Sequence, residues 1–235
     1  MGSLAFVLLL SFPAGVFGTN CYVLASTPGA ECVVIDPGMD AVEPLHEVLE
    51  EYRLKPVAVV ATHGHLDHVF SVVPICSGYG IAAYLHPEDG PMMADPVKWH
   101  GPALAPFVAA MAIPEPDDLR FLTEGVDLDL AGVRLTPRHA PGHTLGSTAF
   151  EITLDDVPGL LSGDLLFAGS IGRVDLPGGS MGQMTASLTR VVLPLDDATV
   201  VLPGHGPTTT IGQERRGNPY LQNLSDEPAA PRRRL

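Results

Sequence analysis

The sequence predicts an α/β fold, a four-layer αββα sandwich within one large domain. Three observations support this prediction. The chain has 235 residues, 46% of them apolar, so it can bury a substantial core. Apolar runs rich in β-branched residues alternate along the chain with segments of helical periodicity. Short polar motifs come directly after apolar runs, which places them on loops at one edge of the sheets.

The first half of the chain predicts strands followed by a surface helix. Residues 4–10 form an apolar run that is too short to span a bilayer and has no Lys or Arg before it, so we expect a core strand rather than a signal peptide. Residues 21–25 and 32–36 predict two paired strands joined by a turn. Asp40 is expected to cap the following helix, because its side chain can accept a hydrogen bond from the first turn.

The second half of the chain repeats this alternation without a tandem repeat of sequence. Strands are expected near residues 126–139, 147–153 and 159–163, then a helix near 180–193, a strand at 199–202 and a helix at 210–216. Strands and helices that alternate in this way are what a layered α/β fold requires.

The most informative stretch is 62–68, which places three histidines and an aspartate within six positions after an apolar run. Imidazole nitrogen and carboxylate oxygen are ligands that Zn²⁺ and neighbouring first-row metals prefer. His63 and His65 can face one ion, because residues two apart on extended backbone share a side. A helix that begins near Asp67 would turn Asp67 and His68 toward a second ion. Three later motifs, at 141–144, 162–164 and 203–206, supply further histidines and an aspartate.

These four motifs, in this chain order, resemble those of the metallo-β-lactamase superfamily and, within it, the single-domain relatives of glyoxalase II (hydroxyacylglutathione hydrolase). The resemblance covers about residues 13–205. It implies an αββα sandwich with two divalent metal ions. Zinc is the expected metal, and these ligands also suit iron and manganese. It also implies that His63, His65 and His143 hold one metal, that Asp67, His68 and His205 hold the second, and that Asp164 bridges the two.

The resemblance further implies a hydrolase that cleaves a thioester of a 2-hydroxyacyl group and a low-molecular-weight thiol. Two divalent cations roughly 3.5–4 Å apart can polarise a carbonyl and lower the pKa of a water to about 7. Asp67 is expected to be catalytic as well, orienting the nucleophile by a hydrogen bond. Two alternatives remain: a persulfide dioxygenase with one Fe²⁺ on His63, His143 and Asp164, and a lactonase or other ester hydrolase on the same centre.

A glycine-rich loop at 169–179 follows Asp164 and contains Arg173 and Asp175. We expect an ion pair between these two residues that holds the loop. The alternative is that Arg173 binds a substrate carboxylate. Full-length glyoxalase II enzymes carry a further helical domain that grips glutathione, but this chain has only about thirty residues after His205. The specificity for the thiol carrier therefore does not follow from the resemblance.

Residues 1–225 are assigned to one metallo-β-lactamase-like catalytic domain, and 226–235 to a disordered basic tail. Within the domain, the proline-rich segment 86–116 is either a lid over the metal cleft or a plain connecting insertion, with a short helix expected at 103–112. Trp99 is expected to anchor this segment. Four histidines match no ligand motif and are expected to be structural, although the last of them could orient a ligand: His46, His86, His100 and His139.

Charge and cysteine content restrict the class of protein. The formal net charge of −14 argues against a nuclease of the same superfamily, since binding to phosphates needs a basic face. Cys21, Cys32 and Cys76 are odd in number and lie in or beside apolar stretches, which is typical of buried free thiols in a reducing compartment. We therefore expect a cytoplasmic enzyme for a small-molecule substrate, with no nucleic-acid or membrane partner and with its oligomeric state left open.

Overall fold

The computed structural model describes residues 7–100 and 115–225, and within them twelve strands form two six-stranded mixed sheets. The first sheet contains, in spatial order, Leu8–Ala14 (β1), Thr19–Ala25 (β2), Glu31–Ile35 (β3), Lys55–Val60 (β4), Ala82–Leu85 (β5) and Leu119–Phe121 (β6). The second contains Leu128–Leu130 (β7), Val133–His139 (β8), Thr148–Leu154 (β9), Val157–Gly163 (β10), Val200–Pro203 (β11) and Thr209–Thr210 (β12).

Helices lie between these strands and after the last of them. They are Val42–Tyr52 (α1), Leu66–Val69 (α2), Val72–Tyr79 (α3), Gly90–Ala94 (α4), Pro96–Trp99 (α5), Met181–Ser187 (α6), Ile211–Gly217 (α7) and Pro219–Ser225 (α8). A 3₁₀ turn, Pro87–Asp89, precedes α4, and a π-helical turn, Leu188–Val192, extends α6. In the part of the chain that is described, no helix has the length and apolarity needed to cross a bilayer.

Strand pairing brings the polar motifs to one edge. Strands β3 to β6 are parallel neighbours, and β10 and β11 are parallel in the second sheet. Parallel strands end at the same edge, so the loops after β4, β10 and β11 emerge side by side. The backbone N–H of Gly204 donates to the carbonyl of Gly163 at 2.9 Å, which joins two of these loops directly.

The layers result because successive side chains along each buried strand point to opposite faces of the sheet. In β3, Cys32 and Val34 face an outer core with α1 and α3, whereas Val33 and Ile35 face the inner core between the two sheets. Phe150 lies on the opposite wall of that inner core. A third core packs α6, its π-helical extension and α7 against the outer face of the second sheet. The order helix, sheet, sheet, helix confirms the predicted αββα sandwich.

The two sheets are also tied together beside the polar loops. Thr19 of β2 forms an isolated antiparallel bridge with His205 of the second half. The backbone N–H of Asn20 donates to Gly204 (2.8 Å), its side chain donates to Pro203 (2.9 Å), and the Tyr22 hydroxyl donates to Pro203 (2.7 Å). The hairpin of β1 and β2 therefore supports a loop that lies far away from it in sequence.

Several sequence predictions can be compared with this architecture. The predicted cap of α1 was wrong, because Asp40 has a left-handed backbone (φ 55°) and Ala41 occupies the N-cap position, where no side chain makes the capping bond. The first strand is shifted toward the second, at Leu8–Ala14. The helix expected at 103–112 and the tail at 226–235 lie outside the described residues. All three cysteines are buried free thiols, and burial raises the pKa of Cys32 and Cys76 to about 12.

Candidate metal centre

The loop after β4 carries the first histidines and is fixed from the end of β3. Asp36 comes after β3 in a left-handed conformation (φ 49°) and is buried. Its Oδ1 accepts a hydrogen bond from the Thr62 backbone N–H, and its Oδ2 accepts one from the Thr62 hydroxyl, both at 2.7 Å. Two neighbouring strand ends are therefore locked together immediately before His63.

The seven side chains expected to bind metal lie in one cluster, in which five are buried and Asp67 and His205 are half-buried. They form three overlapping groups, and the donor atoms of each group lie within 4.8 Å of one another: His63, His65 and His143; His63, His68 and Asp164; and Asp67, His68 and His205. The first group is completed by His143 from the loop after β8, whose Nε2 lies 2.7 Å from Nδ1 of His65. The third group draws on both halves of the molecule.

Asp164 lies between the first group (His63, His65 and His143) and the third group (Asp67, His68 and His205). Its Oδ1 is 3.3 Å from Nε2 of His68, and its Oδ2 is 3.4 Å from Nε2 of His143 and 3.8 Å from Nε2 of His205. A carboxylate whose two oxygens lie near side chains of both groups has the placement that a bridging ligand requires.

The outer nitrogens of four histidines fix the tautomer of each ring. In each case Nδ1 meets an oxygen and must carry the proton, which leaves the Nε2 lone pair for the cluster. The oxygens are the Thr62 hydroxyl for His63 (3.1 Å), the Asp36 carboxylate for His68 (2.9 Å), the Arg173 carbonyl for His143 (2.7 Å) and the Phe17 carbonyl for His205 (3.2 Å). The rings are therefore oriented as ligands before any ion is considered.

Unpaired polar atoms show that this cluster fits a metal. Nε2 of His63 and Oδ1 of Asp164 are buried and have no hydrogen-bond partner among the described residues. A buried polar atom without a partner costs about 1–3 kcal/mol. Cations accept lone pairs from both imidazole and carboxylate, so one or two divalent ions would relieve this cost.

Electrostatics inside the cluster also suit a cation. Burial lowers the pKa of His63 and His65 well below its ordinary value, and neighbouring rings add to the effect, so both stay neutral at pH 7. Burial acts in the same direction on His68, but the carboxylates of Asp164 and Asp67 outweigh it and raise the pKa of His68 well above its ordinary value. A metal ion would replace that proton, so metal binding should weaken as the pH falls.

Asp89 is a buried carboxylate that joins the two loops carrying the first histidine group. Its Oδ2 accepts hydrogen bonds from the Gly64 N–H (2.9 Å) and the Thr144 hydroxyl (2.7 Å), and its Oδ1 accepts one from the Gly146 N–H (2.6 Å). Burial raises the pKa of Asp89, and these three donors oppose that effect. A Cβ on Gly146 would lie 2.7 Å from the Asp89 carboxyl carbon, so glycine is needed for this approach.

The remaining histidines do not belong to the ligand cluster. His100 is buried, accepts a hydrogen bond from the Leu66 N–H (2.7 Å) and donates to the Pro96 carbonyl (2.6 Å). His139 donates to the carbonyl of Leu145 in the loop that holds His143, so it contacts the loop and not a ligand ring. His86 stacks on His139, and His46 is exposed on α1, which agrees with structural roles for both.

A cavity of about 340 Å³ opens onto the cluster. Its lining consists of five of the ligands together with His100, Arg173 and four apolar residues: Phe17, Leu66, Phe167 and Leu176. The predicted ion pair is present, since Arg173 Nε lies 2.7 Å from Asp175 Oδ1. His63 and His68, the two most buried of the seven side chains, are not part of this lining.

Replacement of Asp36 by asparagine is expected to weaken metal binding to the group that contains His68 by about 10- to 100-fold, the usual effect of losing such an outer carboxylate. Asparagine keeps the left-handed backbone, but its amide NH₂ would face a donor from Thr62 or His68. The check is competition with a chromophoric chelator during zinc titration of metal-free protein. Asp40→Asn, an exposed aspartate with a similar backbone, is the control, and equal losses in both variants would contradict the prediction.

Comparison with known proteins agrees with this geometry. Residues 14–205 match the Metallo-beta-lactamase superfamily. The hydroxyacylglutathione hydrolase GloC of Haemophilus influenzae is 33% identical, over 91% of this chain and 97% of that protein. The crystal structure of BLEG-1 B3 metallo-beta-lactamase has a TM-score of 0.77 and 36% identity, over 91% of this chain and 99% of that one. The structure of TTHA1623 in a di-iron-bound form has a TM-score of 0.72 and 39% identity, over 90% and 100%. The chain therefore belongs to the metallo-beta-lactamase superfamily, among its metal-dependent hydrolases.

Proposed function

We propose that the protein hydrolyses thioesters of 2-hydroxyacyl groups with a low-molecular-weight thiol, using two divalent metal ions. The observation that carries the proposal is the position of Asp164, which faces ligands of both histidine groups at the base of the cavity. The similarity to the hydroxyacylglutathione hydrolase GloC supports the thioester, and the similarity to a protein solved with two irons supports two metals.

The chain's own residues have distinct parts in this reaction. When bound, the two metal ions would polarise the thioester carbonyl and make a water nucleophilic near pH 7. His63, His65 and His143 would hold one ion, and His68, His205 and Asp67 the other, with Asp164 shared. The thiolate of the product is a good leaving group at neutral pH and needs no separate acid. The chain therefore has to position the substrate, hydrogen-bond the attacking water and exclude other water. It does not have to supply a strong base.

Asp67 is the ligand that we assign a second, catalytic role. Its side chain is more exposed than that of Asp164 and lines the cavity, whereas His68 behind it is fully buried. The Thr19 hydroxyl donates to Asp67 Oδ2 at 3.3 Å, which helps to hold the carboxylate in place, and His205 Nε2 lies 3.2 Å from the same oxygen. Despite burial, the nearby rings, with His68 the strongest, keep the pKa of Asp67 well below its usual range. It can therefore accept a hydrogen bond from the attacking water.

Metal content and thioester cleavage test the proposal together. Protein purified without added metal is expected to contain about two metal ions per chain, zinc, iron or manganese. It should release thiol from S-lactoyl thioesters, and a chelator should abolish the release. A single iron per chain with oxygen uptake on addition of a persulfide would instead establish the dioxygenase, and cleavage of lactones without thioesters would establish the lactonase.

Cleavage of a β-lactam is a second candidate, because BLEG-1 B3 metallo-beta-lactamase shares 36% identity across nearly its whole length. The same ligands would serve for either carbonyl. A chromogenic cephalosporin in the same assay separates the two functions: we expect kcat/KM for the thioester to be higher by about 10²-fold, since a thiolate leaves more readily than an amine. The three buried free thiols support a reducing compartment, and we propose the cytoplasm as the site of action.

A further inference from the structure

The wall of the cavity above the metal cluster is apolar. Phe17 and Phe167 lie beside His205; the Phe17 carbonyl accepts its Nδ1–H, and the Phe167 ring meets its imidazole edge to face with centroids 5.9 Å apart. Leu66 and Leu176 add to the same lining. A substrate group that enters past the metal ligands therefore loses water against hydrocarbon, which favours apolar and uncharged groups.

The cationic charge in this lining is already paired. Among the described residues that line the cavity, Arg173 is the single lysine or arginine. Its Nε and one terminal nitrogen donate to the two carboxylate oxygens of Asp175, at 2.7 and 2.8 Å. The pair lowers the pKa of Asp175 to about 2, so the carboxylate is ionised at neutral pH. A substrate carboxylate would have to displace Asp175 and would gain no net ion pair.

Lys98 does not supply a replacement for Arg173. Lys98 is close in sequence to the lining residue His100, but its ammonium lies over the ring of Trp99, 4.8 Å from the centroid, and it is absent from the cavity lining. Metal ions would attract the thioester carbonyl and the water, but the carboxylates of glutathione lie at the far ends of the peptide.

From this arrangement we infer that the cavity selects thioesters whose thiol carries no net negative charge, and discriminates against glutathione. The inference rests on the proposed thioesterase function and specifies the carrier for the same site. It also gives Arg173 a defined part: its side chain shapes the mouth of the cavity, while Asp175 cancels its charge. Discrimination arises because an unpaired carboxylate is costly beside apolar side chains, whereas an ester or amide of the same shape is tolerated.

Two substrates that differ by one charge test the inference. S-lactoyl-N-acetylcysteine and its methyl ester carry the same acyl group and the same thiol, and S-lactoylglutathione is the third substrate. With metal-loaded enzyme, we expect kcat/KM for the methyl ester to exceed that for the free acid by about tenfold, with glutathione no better than the acid. A higher kcat/KM for the free acid or for the glutathione thioester would overturn the inference and leave the thioesterase proposal standing. Cleavage of none of the three would overturn both.

Asp175→Asn tests the part assigned to the ion pair. The variant frees Arg173 at the mouth of the cavity. The ratio of kcat/KM for the methyl ester to kcat/KM for the acid should therefore fall by about threefold, which corresponds to one exposed ion pair. Asp118→Asn is the matched control, because Asp118 binds Arg120 through the same two-point geometry on an edge strand away from the cavity. A ratio that stays the same in Asp175→Asn, or that narrows equally in Asp118→Asn, would overturn this part of the inference.

Discussion

Replacement of Asp164 by asparagine is expected to lower kcat/KM for thioester hydrolysis by about 10³-fold and to reduce the metal content from two ions per chain to one or none. The magnitude reflects the several kcal/mol that metal ions supply to a developing negative charge, at about 1.36 kcal/mol for each factor of ten. Asp164 is the residue that faces His68 and His143 at once, so its loss affects both groups together.

Asparagine nearly matches aspartate in shape, which matters because the space around Asp164 is tight. A Cβ on Gly204 would lie 2.3 Å from Asp164 Oδ1, and a Cβ on Gly172 would lie 2.1 Å from the Asp164 carbonyl oxygen. The substitution therefore removes charge without adding volume. Metal content by inductively coupled plasma analysis and steady-state kinetics are the two measurements, with Asp118→Asn as an exposed control. Retention of two metals with full activity would refute the bridging role.

Replacement of Asp89 by alanine is expected to lower the free energy of unfolding by about 3–6 kcal/mol, measured by urea denaturation of metal-free protein. The variant leaves three buried donors, on Gly64, Thr144 and Gly146, without an acceptor, and each such loss costs about 1–3 kcal/mol. Whole domains are stable by only about 5–15 kcal/mol, so the change would remove a large part of the total.

The same variant should also lose metal selectively. The side-chain hydrogen bonds of Asp89 join the loops of His65 and His143 and involve none of Asp67, His68 and His205. The first histidine group should therefore lose its ion at lower chelator concentration than the third. Asp118→Ala removes an exposed carboxylate of similar size and should be close to neutral. Stability within about 0.5 kcal/mol of the parent protein would contradict the prediction, because that is the range of ordinary surface changes.

The clustering of these seven side chains could be predicted from the sequence, because most of them lie in short motifs directly after a buried strand. His143 instead follows β8, which is partly exposed. Strands with both faces covered appear as continuous apolar runs, as in β3 and β4, and the residues after such a run lie at the sheet edge. The alternation of these runs with helical segments was likewise sufficient for the αββα sandwich. Local sequence patterns were therefore enough to predict both the layers of the fold and the loops that hold the histidine and aspartate side chains.

The supporting carboxylates could not be predicted in this way. Asp36 contacts Thr62, which is 26 residues away, and Asp89 contacts Thr144 and Gly146, which are 55 and 57 residues away. Neither aspartate belongs to a repeated or spaced motif, so their roles depend on how the loops pack. Asp40 illustrates the opposite error: a local capping pattern was present, but the turn before α1 adopts a left-handed conformation there.

The segment 86–116 does not have one role along its whole length. It was expected to be a lid or a connecting insertion, yet its first part is built into the metal centre through Asp89 and His100. Met92 and Met93 on α4 are buried as well, which fixes that part of the segment to the fold. A covering role stays a prediction for residues 101–114, which lie outside the described chain.

The bridge between Thr19 and His205 has a consequence for the order of events during synthesis. The third group takes Asp67 and His68 from the first sheet's half of the fold and His205 from the second. A nascent chain can therefore assemble the first sheet early, but it cannot complete this group until His205 has left the ribosome. Acquisition of the second ion should then be a late step, and truncation before His205 should leave a chain that binds metal at the first group alone.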